Sequence, residues 1–136
     1  MATIYKQIST QVPAEFAWQA IADVGALHKR LVAGFVVDTK LDGDTRKVTF
    51  ANGMMVSEKI ISVDHAICRL AYTVIGGRAS HYNASVQVKA ASEKTCQITW
   101  VIDLLPNEMA PPIGEMMEAG AAAMKHTLEQ TYTAAS

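Results

Sequence analysis

The stretch NEMAPPIGEMMEAGAAAMKHTLEQTY, residues 107–132, decides how the rest of this chain must fold. Pro106 and the Pro111-Pro112 pair stand at its start, where proline fits a first helical turn but not a helix interior. After them, apolar and small residues recur at steps of three and four, which predicts one long helix over 107–132. The stripe consists of Ile113, Met117, Gly120, Met124, Leu128 and Thr131.

The inner face of this predicted helix is poorly filled for a helix that only closes a core. Core-facing stripes usually have Leu, Ile and Phe, whereas this one has two methionines and a glycine beside the alanines at 121–123. Small and flexible side chains leave room next to a helix. The sequence therefore predicts that the helix forms one wall of a cavity.

Composition and charge limit the kinds of partner that we expect this chain to bind. The chain has 136 residues, half of them hydrophobic, which predicts a single domain over 1–136. A net charge of -1 and the lack of a Lys/Arg run indicate no nucleic-acid partner. No apolar run approaches the roughly 20 residues that cross a bilayer, and no apolar leader begins the chain. We therefore expect a cytoplasmic protein without a membrane span.

Cysteine and histidine positions indicate neither a metal site nor a disulfide. Cys68 and Cys96 alternate with strand-like apolar neighbours, which favours buried, reduced thiols. The four histidines are scattered, and the serine-nucleophile, zinc, dinucleotide and phosphate-loop motifs are missing. We expect no metal and no cofactor.

The order of elements predicts an α+β fold. Residues 3–12 alternate as a strand, Pro13 ends it, and residues 14–22 and 26–30 predict two short helices. From Ala33 onward the apolar residues recur with period two, which predicts six antiparallel strands. They are 35–41, 45–50, 54–63, 67–75, 82–90 and 96–104. Seven strands and one long helix make a sheet covered by a helix.

Short motifs along nearly the whole chain carry a resemblance to a known family. They are Val12-Pro13-Ala14-Glu15 then Trp18, Gly43 then Arg46, Gly53 then Glu58, Asp64 then Arg69, Tyr72, His81-Tyr82, and Trp100 with Asp103 and Pro106. These residues resemble the START-like or SRPBCC superfamily, the polyketide cyclase/dehydrase and lipid transport family. That group includes the birch-pollen-allergen fold and the plant abscisic-acid receptors. The resemblance implies a helix-grip fold, in which a curved seven-stranded antiparallel sheet wraps the C-terminal helix around an apolar cavity.

The hairpin around Asn52-Gly53 determines which side chains face inward. A two-residue turn would pair Lys47 with Glu58, whereas a three-residue loop over 51–53 pairs Arg46 with Glu58. We favour the three-residue loop, because it places the apolar side chains of both strands on one face. These are Val48, Phe50, Met54 and Val56. An Arg46–Glu58 pair then faces the cavity, and the resemblance implies the same, since matching residues line the pocket of the plant receptors.

An inward charge pair allows two interpretations that the sequence leaves open. The pair is either a structural ion pair, or it orients the polar end of a ligand whose body lies against apolar side chains. The predicted ligand-binding set is Arg46, Val48, Phe50, Met54, Val56, Glu58, Tyr72, His81, Trp100, Met117, Gly120 and Met124.

The Gly-Gly segment at 76–81 joins two predicted strands and has wide conformational freedom. It is a candidate gate beside the Asn52-Gly53 hairpin, and the resemblance implies a latch loop at this place. His81 at its end is either a ligand donor or proton carrier, or a solvated loop histidine.

Two function classes follow. The favoured one is binding or transport of a small hydrophobic molecule, lipid-like or polyketide-like, because the cavity is predicted and no catalytic constellation is. The alternative is a cyclase or dehydratase-like enzyme, in which Glu58 or His81 moves protons and Arg46 stabilises an enolate oxygen. Exposed strand edges also allow a homodimer.

Overall fold

In the computed structural model, which describes residues 2–135, seven strands form one antiparallel sheet against a long C-terminal helix. The two end residues of the predicted domain, 1 and 136, lie outside the described residues. The strands are β1 (Ala2–Thr10), β2 (Val36–Asp42), β3 (Thr45–Phe50), β4 (Met55–Asp64), β5 (Arg69–Ile75), β6 (His81–Ala90) and β7 (Cys96–Leu105). Their order in the sheet is β1-β7-β6-β5-β4-β3-β2, so β1 and β2 are its edges.

The helices are α1 (Ala14–Ala22) and α2 (Ala110–Ala135). Between α1 and β2 the chain forms a 3-10 turn at Val24–Ala26 and a π-helical turn at Leu27–Leu31, and a 3-10 turn at Asn107–Met109 leads into α2. The predicted α+β helix-grip fold is therefore confirmed. The predicted boundaries differ by a few residues, and the single helical piece predicted over 26–30 is two short turns.

The concave face of the sheet is apolar because its residues alternate. On β7, which lies between β1 and β6, alternate residues are buried, namely Cys96, Ile98, Trp100, Ile102 and Leu104. The intervening residues face away from the core, as a period of two requires. The helix α2 packs against this face through Met117, Gly120, Met124, Thr127 and Leu128. Sheet and helix thus form two layers around one core.

Two irregularities accompany the curvature of the sheet. The pairing of β2 with β3 shifts between Val36 and Asp38, and the pairing of β4 with β5 shifts between Ile60 and Ser62. An extra residue in one strand bends that strand and increases its twist. Both shifts lie in the part of the sheet whose strands β2, β3, β4 and β5 contribute to the wall of the cavity described below.

The predicted register of the β3–β4 hairpin is confirmed. Arg46 pairs with Glu58 and Val48 with Val56, and the Phe50 amide donates to the Met54 carbonyl at 2.8 Å. Gly53 has a φ of +89°, a conformation that residues with a Cβ rarely adopt. The three-residue loop therefore sends alternate side chains of both strands toward the helix.

Among the described residues, no helix combines the length and the apolar character that crossing a bilayer requires.

Candidate functional site

A cavity of about 750 Å³ lies between the concave face of the sheet and α2. Nine residues of the predicted binding set line it. They are Arg46, Val48, Phe50, Met54, Val56, Glu58, Tyr72, Trp100 and Met124. The cavity is apolar over most of its wall, and the charged and hydroxyl-bearing side chains are contributed by neighbouring strands of the sheet.

The placement predicted for His81 is corrected by the structure. His81 is exposed, it does not line the cavity, and its Nε2 contacts Asn83 Oδ1 on the outer side of β6. The reason is strand alternation: Ala84, Val86 and Val88 are buried, so the inward-facing neighbour at the start of β6 is Tyr82. Tyr82 lines the cavity in place of His81.

Met117 and Gly120 also lie outside the cavity wall. Met117 is fully buried in the core. At Gly120 an added Cβ would stand 3.1 Å from the Trp100 ring and 3.2 Å from the Phe35 ring. The helix therefore presents Gly120 to the two aromatic rings. Met116, one residue from the predicted Met117, lines the cavity.

The sequence interpretation missed several lining residues. They include Leu27, Leu31, Phe35, Leu70, Tyr82, Met109 and Met116. Two of them carried a usable signal: Tyr82 alternates in phase with Ala84 and Val86 on a predicted strand, and Leu70 alternates in phase with Tyr72 on another. Leu27, Leu31 and Phe35 come from short helical turns and a loop, where no periodicity indicates which side chain faces inward.

Two segments form the rim of the cavity. One is the β3–β4 hairpin with Ala51, Asn52 and Met54. The other is the β5–β6 loop at 76–79, in which Gly76 and Gly77 have φ values of +71° and +88°. The Met54 amide donates to Asn52 Oδ1 at 2.9 Å, which fixes the tip of the hairpin.

A buried ion pair forms part of the cavity wall. Arg46 Nε donates to Glu58 Oε1 at 2.8 Å, and Arg46 Nη1 donates to the Val24 carbonyl at 3.3 Å. The Arg46 and Glu58 side chains are only 4% and 10% exposed. Burial makes each charge depend on the other, because an unpaired buried charge is costly.

Two tyrosines stand beside the ion pair. The Tyr72 ring lies under the Arg46 guanidinium, with 5.3 Å from Cζ to the ring centroid, and its hydroxyl accepts a hydrogen bond from Trp100 Nε1 at 3.1 Å. Burial and the charge of Glu58 raise the pKa of Tyr72 well above its usual value, and the same two causes raise the pKa of Tyr82. Both phenols are therefore protonated at neutral pH and able to donate.

A polar cluster in the cavity wall consists of Arg46, Glu58, Tyr72 and Tyr82. Some of its polar atoms have no hydrogen-bond partner among the described residues. Glu58 Oε2 accepts none, the Tyr82 hydroxyl makes none, and the Tyr72 hydroxyl accepts from Trp100 but donates to no acceptor. All three side chains line the cavity. The cluster can thus offer both hydrogen-bond donors and an acceptor to a molecule inside it.

The rest of the described chain offers no competing metal or thiol chemistry. Over residues 2–135, no three His, Cys, Asp or Glu side chains are arranged to hold a metal ion. Cys96 is buried with its Sγ 3.1 Å from Thr10 Oγ1, and Cys68 is partly buried. Neither cysteine lines the cavity.

The fold is shared with solved structures of low sequence identity. A Bacillus thuringiensis protein is 18% identical over 93% of this chain and 98% of its own, with a TM-score of 0.83. A START superfamily protein from Mycobacterium smegmatis is 10% identical over 95% of this chain and 98% of its own, with a TM-score of 0.79. The di-domain aromatase/cyclase (ARO/CYC) BexL of the BE-7585A biosynthetic pathway is 14% identical, with a TM-score of 0.82. The match covers 95% of this chain and 47% of BexL.

Sequence comparison gives a family over almost the full length. No curated protein matches the sequence. The family model for polyketide cyclases/dehydrases and lipid transport proteins matches residues 1–134, which include every strand, all but the last residue of α2 and the whole cavity wall. The chain therefore belongs to the polyketide cyclase/dehydrase and lipid transport family.

Proposed function

We propose that this protein binds a small, largely apolar molecule, lipid-like or polyketide-like, in the cavity between the sheet and α2. The observation that carries the proposal is a space of about 750 Å³ with an apolar wall and one polar cluster. Small-molecule sites in proteins have volumes of roughly 300–1,000 Å³ and combine apolar walls with a few placed polar groups. The cavity fits that description in both size and chemistry.

The wall of the cavity supports binding more than it supports catalysis. Of the two proton carriers expected for an enzyme, His81 lies outside the cavity and only Glu58 lies inside it. One carboxylate oxygen of Glu58 is held by Arg46.

A second candidate function is acid/base chemistry on the bound molecule. It is supported by the free oxygen of Glu58, which stands inside the cavity beside two protonated tyrosines. Native mass spectrometry of protein purified from its own source separates the two functions. A captured molecule that is unchanged after long incubation supports binding. A captured molecule that loses water, and that persists intact in Glu58→Gln, supports the enzyme.

A cavity-filling variant tests the binding proposal. Val48 lines the cavity at the centre of the β3–β4 hairpin, and Val48→Trp places a large ring in the space in front of it. We expect this variant to fold and to lose capture of the native ligand in native mass spectra. Val37→Trp is the matched control, because Val37 is 53% exposed and does not line the cavity. Equal capture by both variants would contradict the proposal.

A further inference from the structure

Resting on the proposed function, we infer that the cavity selects an uncharged ligand whose polar end both donates and accepts hydrogen bonds, such as a hydroxyl group. A carboxylate on the same apolar body is disfavoured. The inference comes from the charge balance and the free polar atoms of the cluster formed by Arg46, Glu58, Tyr72 and Tyr82, which lines the cavity.

The side chains that line the interior of the cavity carry no net charge. Arg46 and Glu58 are the two charged side chains that line its buried part, and their charges are paired at 2.8 Å. Arg78 also contributes to the lining, but it is exposed on the β5–β6 loop at the rim. An anion inside the cavity would have to share Arg46 with Glu58. Like charges brought together in a poorly hydrated site repel strongly.

The donors of the cluster are the two tyrosines. The Tyr72 hydroxyl oxygen is occupied by Trp100 Nε1, which leaves its hydrogen for an acceptor on the ligand. The Tyr82 hydroxyl makes no hydrogen bond to the described residues and faces the same space. A neutral ligand oxygen can accept from either hydroxyl without adding charge to the cavity.

The acceptor of the cluster is the second oxygen of Glu58. Oε1 accepts from Arg46, whereas Oε2 has no donor among the described residues. An ionised carboxylate is an acceptor only, so a ligand atom beside it must carry a hydrogen. A hydroxyl meets this requirement and an ionised carboxylate does not. An apolar ligand without any donor would leave the oxygen unpaired in a partly desolvated site.

Three probes with one ring system test the inference at pH 7. They are 9-phenanthrol, phenanthrene and phenanthrene-9-carboxylate, titrated into the protein and followed by probe fluorescence. The phenol is neutral and the acid is ionised at this pH. One added hydrogen bond is worth about 0.5–1.5 kcal/mol, so we expect 9-phenanthrol to bind about 3- to 10-fold more tightly than phenanthrene. We expect the carboxylate to bind most weakly of the three.

The outcomes show whether the inference fails alone or whether the proposed function fails with it. If the carboxylate binds as tightly as 9-phenanthrol, or if phenanthrene does, the inference is wrong and the proposal of a binding cavity stands. If none of the three binds, both fail. The expected order of the three probes supports both.

Variants connect the order of affinities to the named side chains. Tyr82→Phe keeps the ring and removes a hydroxyl, so it should reduce the advantage of 9-phenanthrol over phenanthrene. Tyr5→Phe is the matched control, because Tyr5 is 57% exposed and does not line the cavity. Glu58→Gln leaves the charge of Arg46 unpaired and should tighten binding of phenanthrene-9-carboxylate. A misfolded variant that exposes apolar surface would bind all three probes more tightly, whereas the assigned role of Glu58 predicts a gain for the carboxylate alone. Equal gains for all three probes, or no gain for the carboxylate, would contradict that role.

Discussion

Arg46 and Glu58 are the two charged residues that the described part of the chain buries. Partial desolvation costs each of them energy, and their contact and the Val24 carbonyl offset that cost. Such a pair is weak evidence for stability, since well-packed apolar residues often replace it without loss. The chain instead keeps two charges in the wall of an apolar cavity. This placement is what an uncharged, hydrogen-bonding ligand would require.

Breaking the pair on one side should be far more costly than removing both charges. Arg46→Met leaves the Glu58 carboxylate unpaired, and we expect a loss of about 3 kcal/mol in the free energy of unfolding. The double variant Arg46→Met/Glu58→Leu should recover most of that loss. Urea unfolding of the two single variants, the double variant and the wild type gives the coupling energy of the pair.

An exposed pair is the control for this cycle. Arg30 and Asp23 are 2.9 Å apart with side chains 41% and 46% exposed, so Arg30→Met should cost less than about 1 kcal/mol. If Arg46→Met costs no more than Arg30→Met, water in the cavity hydrates Glu58 fully. The charge-balance argument for an uncharged ligand would then lose its basis.

The helix α2 contains two glycines with opposite surroundings. An added methyl group at Gly114 would meet no atom within 4 Å, whereas at Gly120 it would meet the Trp100 and Phe35 rings at 3.1 and 3.2 Å. The Trp100 ring cannot withdraw freely, because its Nε1 donates to Tyr72. Gly120 therefore allows α2 to approach an aromatic wall of the cavity, while Gly114 has no such role.

Alanine at the two positions should change stability in opposite directions. Gly114→Ala should raise the free energy of unfolding by up to about 1 kcal/mol, because alanine is the better helix former. Gly120→Ala gains the same propensity but overpacks the rings, which costs about 1–3 kcal/mol. Gly120→Ala should therefore be the less stable variant in urea unfolding, with a shifted Trp100 fluorescence spectrum. Equal stabilisation by both substitutions would show that the rings move aside without cost.

The sequence predicted elements better than it predicted the site. The β3–β4 register could be predicted because only one loop length places Val48 and Val56 on the same face as Arg46 and Glu58. His81 was included in the predicted binding set as the last residue of a loop, with a solvated histidine as the alternative; the structure places it outside the cavity, and the phase of Ala84 and Val86 pointed to Tyr82 instead. The sequence could not show whether Met116 or Met117 lines the cavity, because the answer depends on how α2 lies across the curved sheet. The size of the cavity depends on the same curvature.

At the scale of the whole molecule, carboxylates on β7 and α2 help to hold the edge strand β1. Glu118 on α2 pairs with Lys6 of β1, and two other carboxylates accept hydrogen bonds at or beside this strand. Asp103 on β7 accepts from Thr3 Oγ1 at 2.6 Å and from Asn83 Nδ2 at 3.1 Å, which links β1, β7 and β6. Glu129 on α2 accepts from the Gln11 amide at 2.9 Å, just beyond β1. Both contacts need the ionised carboxylate. The contribution of these two links to the attachment of β1 should therefore depend on pH.

The pH dependence of stability should reveal these two links. Hydrogen bonds from Thr3 and Asn83 lower the pKa of Asp103, and the bond from the Gln11 amide lowers the pKa of Glu129. A carboxyl with a lowered pKa in the folded state stabilises the fold above its unfolded pKa, about 3.9 for Asp and 4.3 for Glu. That stabilisation is lost as the pH falls through the folded pKa. We expect urea midpoints of the wild type to fall as the pH is lowered from about 5 to 3.

Neutral amides at both positions should remove part of that pH dependence. Asp103→Asn/Glu129→Gln should be less stable than the wild type at pH 7 and should show a shallower fall between about pH 5 and 3. Glu93→Gln is the control, because Glu93 is exposed and makes no hydrogen bond to the described residues, so its profile should follow the wild type. A double variant whose profile runs parallel to that of the wild type would mean that these two carboxylates add nothing to the pH dependence. The strand β1 would then be held by its ladder with β7, by packing and by its remaining polar contacts with α2, such as that of Lys125 Nζ with the Ser9 carbonyl. The acid sensitivity would then have to come from other carboxylates.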